Sequence, residues 1–164
     1  MDYPGRKTGT RLEKHLYADE IGNFHENFEK TSWEPDVLAE ELPKPEVVGW
    51  LRNMPRKDWS LCIPYTEGET IKSVYPDFII FRKVKGKIVV DILDPHSSSY
   101  SDAIPKAKGL AKYAETHGAQ FGRIELIHKV NGKIKRIDLK DEGTRKKILK
   151  ANERAHLDRL FEET

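Results

Sequence analysis

Cysteine occurs once in the 164 residues, at Cys62. An internal disulfide and a cysteine-rich zinc module are therefore excluded, and the chain suits a reducing compartment, the cytoplasm. No apolar run approaches the ~20 residues that cross a bilayer, and residues 1–10 carry no apolar signal core, so no membrane partner is expected. Neither sign of charge dominates: 29 Lys and Arg oppose 27 Asp and Glu, and the net charge of +2 does not by itself announce a nucleic-acid binder. A Gly-rich phosphate loop followed by Lys-Ser or Lys-Thr is missing, and Gly5-Arg6-Lys7-Thr8-Gly9 is too short and unframed to stand in for one, which excludes an NTPase. The six histidines form neither His-Glu-x-x-His nor a His/Cys cluster, so a zinc hydrolase has no support. A Gly-x-Ser-x-Gly elbow is absent as well.

What is present fits one domain of ordinary size. With 37% hydrophobic and 34% charged residues the chain is polar, yet rich enough in Ile, Leu, Val and aromatics to close a core. Lys and Arg concentrate in 82–87 and 129–150, while 13–46 carries most of its charge as Asp and Glu. Such lysines are either solvated flanks of hairpin tips or a contact surface.

Residues 1–33 show no sustained period and read as an N-terminal arm or linker that docks on something. A domain over 34–164 follows, with its core in 44–139 and a C-terminal helix over 141–162. A short helix is expected over 34–42, capped by Ser32 or Thr31 with Pro35 in its first turn. A second is expected over 46–53, with Val47, Trp50 and Leu51 on one face. Strands are expected over 59–65, 74–83 and 87–94, forming an antiparallel meander. A helix over 101–117 carries the stripe Ile104, Ala107, Leu110, Ala111 and Ala114 and ends at Gly118 in left-handed conformation. Two strands joined by Asn131-Gly132 complete the pattern. The fold class is α/β, a mixed sheet flanked by helices.

Asp77, in Tyr75-Pro76-Asp77-Phe78, and Asp91, in Val89-Val90-Asp91-Ile92-Leu93, interrupt two apolar strands where carboxylates are costly unless they bind something. A three-residue loop Val84-Lys85-Gly86 would pair Ile79 with Asp91 and set Asp77 and Asp91 on one face as diagonal neighbours, roughly 7–8 Å apart. Two carboxylates so placed can converge on a hard cation, Mg2+ or Mn2+, of the kind phosphodiester cleavage uses. A two-residue Lys85-Gly86 turn would shift the pairing by one and put the two aspartates on opposite faces. Asp94 points away from Asp91 in a regular strand. Pro95 can end that strand and return His96 toward the metal as a base.

Pro76-Asp77, Asp91 two positions before Leu93, and the order helix, three-strand meander, helix, strand resemble the PD-(D/E)XK nuclease superfamily, whose core is restriction-endonuclease-like. Glu46-Val47-Val48-Gly49-Trp50-Leu51-Arg52-Asn53, Ile63-Pro64-Tyr65, Tyr75-Pro76-Asp77-Phe78, and Lys106 seven residues before Tyr113 look like the C-terminal endonuclease domain of type III restriction enzymes and helicase-linked relatives, over about residues 44–129. The resemblance implies metal ligation by Asp77, Asp91, the Ile92 carbonyl and Glu46. It also implies a lysine two residues after the second acid, where this chain has Leu93. Superfamily members with a lysine migrated to the following helix make Lys106, and after it Lys108, the replacement candidates. The function implied is a Mg2+- or Mn2+-dependent endonuclease acting on DNA, or on RNA, beside a helicase or ATPase partner in restriction, defence or DNA processing. The alternative is a nuclease-fold module that has lost cleavage and binds nucleic acid or scaffolds a helicase.

Overall fold

Two short strands, β1 (Thr10–Leu12) and β2 (Phe24–Glu26), pair antiparallel at the start of the chain. The computed structural model of the protein describes residues 9–18, 22–28, 32–97 and 100–164. The described part of the expected arm docks on its own domain. Leu16 N–H donates to the Trp50 carbonyl (2.9 Å), Trp50 N–H donates to Lys14 (3.0 Å), and Phe24 meets Trp50 edge-on. Helix α1 (Glu34–Glu41) follows, with Pro in its first turn. Ser32 Oγ accepts from Glu34 N–H, while Thr31 and the glycine-containing stretch 5–8 lie outside the described residues.

The expected helix over 46–53 is strand β3 (Val47–Arg52) instead. Val47, Val48 and Trp50 favour extended backbone, Gly49 disfavours helix, and pairing with a neighbouring strand overrides the weak helical spacing. The expected strand over 59–65 begins later, as β4 (Ile63–Glu67), and turns back through Gly68 into β5 (Thr70–Val74) as a separate two-stranded sheet. The expected strand over 74–83 is therefore split: after β5 the chain passes Tyr75-Pro76-Asp77 and enters β6 (Phe78–Val84), then β7 (Lys87–Pro95). The meander is β3-β6-β7, not the three strands read from the sequence.

Helix α2 (Ala103–His117) crosses back to β8 (Ile124–Val130), which runs parallel to β7, and β9 (Lys133–Asp138) closes the sheet antiparallel. Gly118 does not take the expected left-handed cap: its φ is −56°, and a short 3-10 turn continues to Gln120. Asn131 and Gly132 do take positive φ, as a two-residue hairpin turn requires. The expected C-terminal helix over 141–162 is two helices, α3 (Glu142–Lys150) and α4 (Arg154–Glu163), broken where Ala151 turns extended.

The five-stranded sheet has order β3-β6-β7-β8-β9 and is mixed. One face carries Ile79, Ile92, Ile124, Leu126 and Ile137 against Ala107, Leu110 and Ala111 of α2 and against Leu157 and Phe161 of α4. The other carries Trp50, Phe78, Ile80, Leu93 and Ile127 against Val37 and Leu38 of α1 and against Phe24. Both faces are covered, so β6 and β7 read as continuous apolar runs. No helix among the described residues is long and apolar enough to cross a membrane.

Candidate functional site

The β6–β7 hairpin decides which acids meet. Lys85 and Gly86 both have positive φ (49° and 79°), and Val84 pairs with Lys87, so the turn has two residues. This is the type of turn whose twist matches the flanking strands, with glycine at its second position. Ile80, not Ile79, then faces Asp91. The expectation that Asp77 and Asp91 share a face is overturned: a one-residue change of register sends alternate side chains to opposite faces.

Asp91 lies instead on the α1 face and is fully buried. Arg82 Nε and Nη2 donate to its two oxygens at 2.5 and 2.9 Å, and Arg123 Nε donates at 2.8 Å. Arg123 also pairs with buried Glu41, which Arg136 approaches at 2.9 Å. Burial alone would raise the Glu41 pKa. Hydrogen bonds from Arg123 and Lys44, with the charge of Arg136, lower it to about 2. Asp91 is thus saturated by guanidinium groups. Gly122 lets the chain pass this cluster, since a Cβ there would sit 2.5 Å from Asp91 Oδ1.

The other two residues implied as ligands lie away from Asp77. Ile92 lies in mid-sheet between β6 and β8 on the α2 face, its N–H bonded to the Arg123 carbonyl. Glu46 precedes β3 at the hairpin end of the sheet, where its carbonyl accepts from Lys83 N–H. The length of β3, roughly 20 Å at the rise of a strand, separates it from the Asp77 end. The first helix is α1, and its Glu34 pairs with Arg52 beside Asp77. Lys108 faces away from the acids as well, its Nζ 3.4 Å from Asn152 Oδ1.

The same register brings another pair together. Phe78 pairs with Leu93, and carrying that pairing one residue outward sets Asp77 opposite Asp94 on the α2 face. Residues directly opposite hold their Cβ atoms about 5 Å apart. Asp77 and Asp94 line one cleft of about 240 Å³ together with Tyr75, His96, Tyr100 and Lys106. Asn53 fixes the approach to it. Its N–H donates to the Asp77 carbonyl (2.9 Å) and its buried amide donates to the Pro76 carbonyl (2.8 Å).

Asp77 keeps 30% of its side chain exposed, enough to face the cleft, whereas Asp94 is buried. Enclosure in the cleft, then the facing Asp94 carboxylate, push the Asp77 carboxyl well above the usual range, and Arg52 pulls the other way. The Arg52 guanidinium lies 3.8 Å from Asp77 Oδ1 and is sandwiched by the rings of Phe28 and Phe78. Lys106 enters from the first turns of α2, its Nζ 2.8 Å from Asp102. His96 is buried, with Nε2 2.9 Å from the Ala103 carbonyl and Nδ1 3.3 Å from Asp94 Oδ2. Both ring nitrogens therefore face acceptors, and the ring bridges Asp94 to the first residue of α2 rather than standing free as a base.

Of the residues singled out from the sequence, the fold thus assembles Asp77, His96 and Lys106 and disperses Asp91, Ile92, Glu46 and Lys108. Asp94 does point away from Asp91, as a regular strand requires; its meeting with Asp77 was missed because the longer loop was favoured. Arg52 lay within the resembled segment without a role of its own, and Asp102 carried no sequence signal. Among the described residues, no group of three or more His, Cys, Asp and Glu side chains is placed to hold a metal ion.

No solved structure matches the chain. Protein YagJ of Escherichia coli (strain K12) is 40% identical over 138 residues, which cover 84% of this chain and 56% of that protein, so the chain spans little more than half the length of this relative. The model of the YagJ family matches residues 13–164. The chain belongs to the YagJ family.

Proposed function

We propose that the Asp77–Asp94 cleft is a divalent-cation site for hydrolysing nucleic-acid phosphodiester bonds, DNA before RNA, in a restriction-endonuclease-like core. The observation that carries the reading is the cross-strand placement of two carboxylates at the mouth of one cleft with Lys106. Burial first, and then the facing Asp94 carboxylate, hold the Asp77 pKa up, and a bound cation would offset both. Two carboxylates with room beside them suit Mg2+ or Mn2+, which keep several waters and borrow substrate phosphate oxygens, better than an ion caged wholly by protein. A cation held there supplies Lewis acidity toward a phosphoryl oxygen and makes water acidic enough to attack.

The chain's own residues would do the rest. Asp77 and Asp94 supply the oxygen donors, and Asn53 and His96 hold them in place. Lys106 offers positive charge to the phosphate as negative charge gathers in the transition state. With Asp94 as the second acid, the residue two positions on is His96 rather than Leu93. The place where the resembled superfamily carries lysine is then filled by the His96 imidazole. The order α1, β3, β6, β7, α2, β8 also supports the resemblance. Strand separation or translocation would fall to a helicase or ATPase partner.

The test is incubation with plasmid and linear DNA in Mg2+ or Mn2+. Cleavage that needs the cation and vanishes in Asp77→Asn supports the reading; cleavage that survives the substitution contradicts it. A second reading, a nuclease-fold module that binds nucleic acid or scaffolds a helicase without cutting, is favoured by the lack of a three-ligand group among the described residues. DNA affinity unaffected by cation, with no cleavage, would establish it over the first.

A further inference from the structure

The cleft carries a feature that metal chemistry does not use. Tyr75 and Tyr100 both line it, beside the two acids and Lys106. Tyr100 is 63% exposed, among the most exposed large side chains described, and neither tyrosine stacks on another ring among the described residues. Tyr75 lies beside Cys62 and Ser73. The other tyrosine faces outward with its ring uncovered. At about 240 Å³ the cleft falls below the range of roughly 300–1,000 Å³ that encloses a drug-sized ligand. It has room for a single base or sugar-phosphate unit.

Exposed aromatic rings beside a cation are the means by which proteins hold unpaired bases: each base offers a π-face that duplex pairing and stacking conceal, and the cation meets the backbone. Here the cation is Lys106, held toward the cleft by Asp102. We propose that the site takes single-stranded nucleic acid, with a base stacked on Tyr100 and the adjoining phosphate brought to Lys106 and the Asp77–Asp94 pair. This deepens the hydrolytic reading and rests on it for the identity of the reacting group, but the binding it requires can be measured without hydrolysis.

The experiment is fluorescence anisotropy on the full chain in Ca2+, which offsets the carboxylates so that binding is read apart from Mg2+- or Mn2+-dependent cleavage, with a fluorescein-labelled oligo(dT) of about a dozen nucleotides and a blunt hairpin duplex of similar charge as probes. Expected is binding of oligo(dT) about tenfold or more tighter than of the duplex. Tyr100→Ala should weaken oligo(dT) binding about tenfold while Tyr100→Phe retains it, since the ring and not the hydroxyl is used. Thermal unfolding of each variant confirms that the fold is kept, and Tyr100, being exposed, is a site where it should be. Tighter binding to the duplex, or oligo(dT) affinity unchanged in Tyr100→Ala, would overturn the proposal. Retained oligo(dT) selectivity in a protein that cuts nothing with Mn2+ would support the substrate inference and sink hydrolysis alone.

Discussion

Asp91 and Asp94 stand three residues apart on β7 and end in opposite chemical settings. Asp91, on the α1 face, meets two arginines within a network that continues through Glu41 to Arg136. Asp94, on the α2 face, meets His96 and a second carboxylate across the strands, beside a cleft. Excess positive charge makes the first acid a structural element whose removal strands guanidinium groups. Excess negative charge makes the second pair electrostatically incomplete. Partially buried charges report function by what they lack, and a saturated ion network is weak evidence for a site.

The contrast breaks most sharply under paired substitution. Asp94→Asn should lower cation-dependent cleavage about a thousandfold, several kcal/mol of transition-state stabilisation, while Asp91→Asn should spare the rate per folded molecule. Steady-state assays normalised to folded protein check this. In stability the order reverses. Asp91→Ala leaves Arg82 and Arg123 without their buried partner and should cost about 3–5 kcal/mol in urea denaturation. Asp77→Asn removes a carboxyl whose folded pKa is raised, and should stabilise the protein at neutral pH.

Acid separates the faces again. Glu41, depressed from 4.5 to about 2, contributes stability that is fully present above the unfolded value and is lost as pH falls from 4.5 through 2. The loss is on the order of 3 kcal/mol, and Glu41→Gln should flatten this part of the stability profile. Asp77 has the opposite sign: its raised pKa costs stability above the folded value, and that cost is relieved as pH falls through it. The smallest effect is the cation's own. Mn2+ at a hundred times its Kd should raise unfolding free energy by about 2.7 kcal/mol in the wild type, and in Asp91→Asn, but not in Asp94→Asn.

Much of this was legible in the sequence. The helix over 103–117, the Asn131-Gly132 turn and the acidic Pro76-Asp77 entrance follow from local chemistry. The partner of Asp77 does not, because β6 and β7 are apolar on both faces. Ile79 and Ile80 satisfy either register, and hydrophobic patterning cannot choose between them. Only the turn discriminates, and Gly86 suits the left-handed position of either loop, so the positive φ of Lys85, which nothing in the sequence marks, decides the register. The strand over 47–52 was missed for a related reason: Val47, Trp50 and Leu51 match a helical face as well as a strand, and the pairing that settles it is with distant β6, from Val47 with Arg82 to Arg52 with Phe78. His96 was placed as a free base because nothing local marks the Ala103 carbonyl as its partner.

The most direct test of the central claim is anomalous diffraction from Mn2+-soaked crystals, with the scattering peak located relative to the three aspartates. The account predicts one peak between the carboxylates of Asp77 and Asp94, lost in Asp94→Asn. A peak at Asp91, or none near Asp77 at saturating Mn2+, would contradict it.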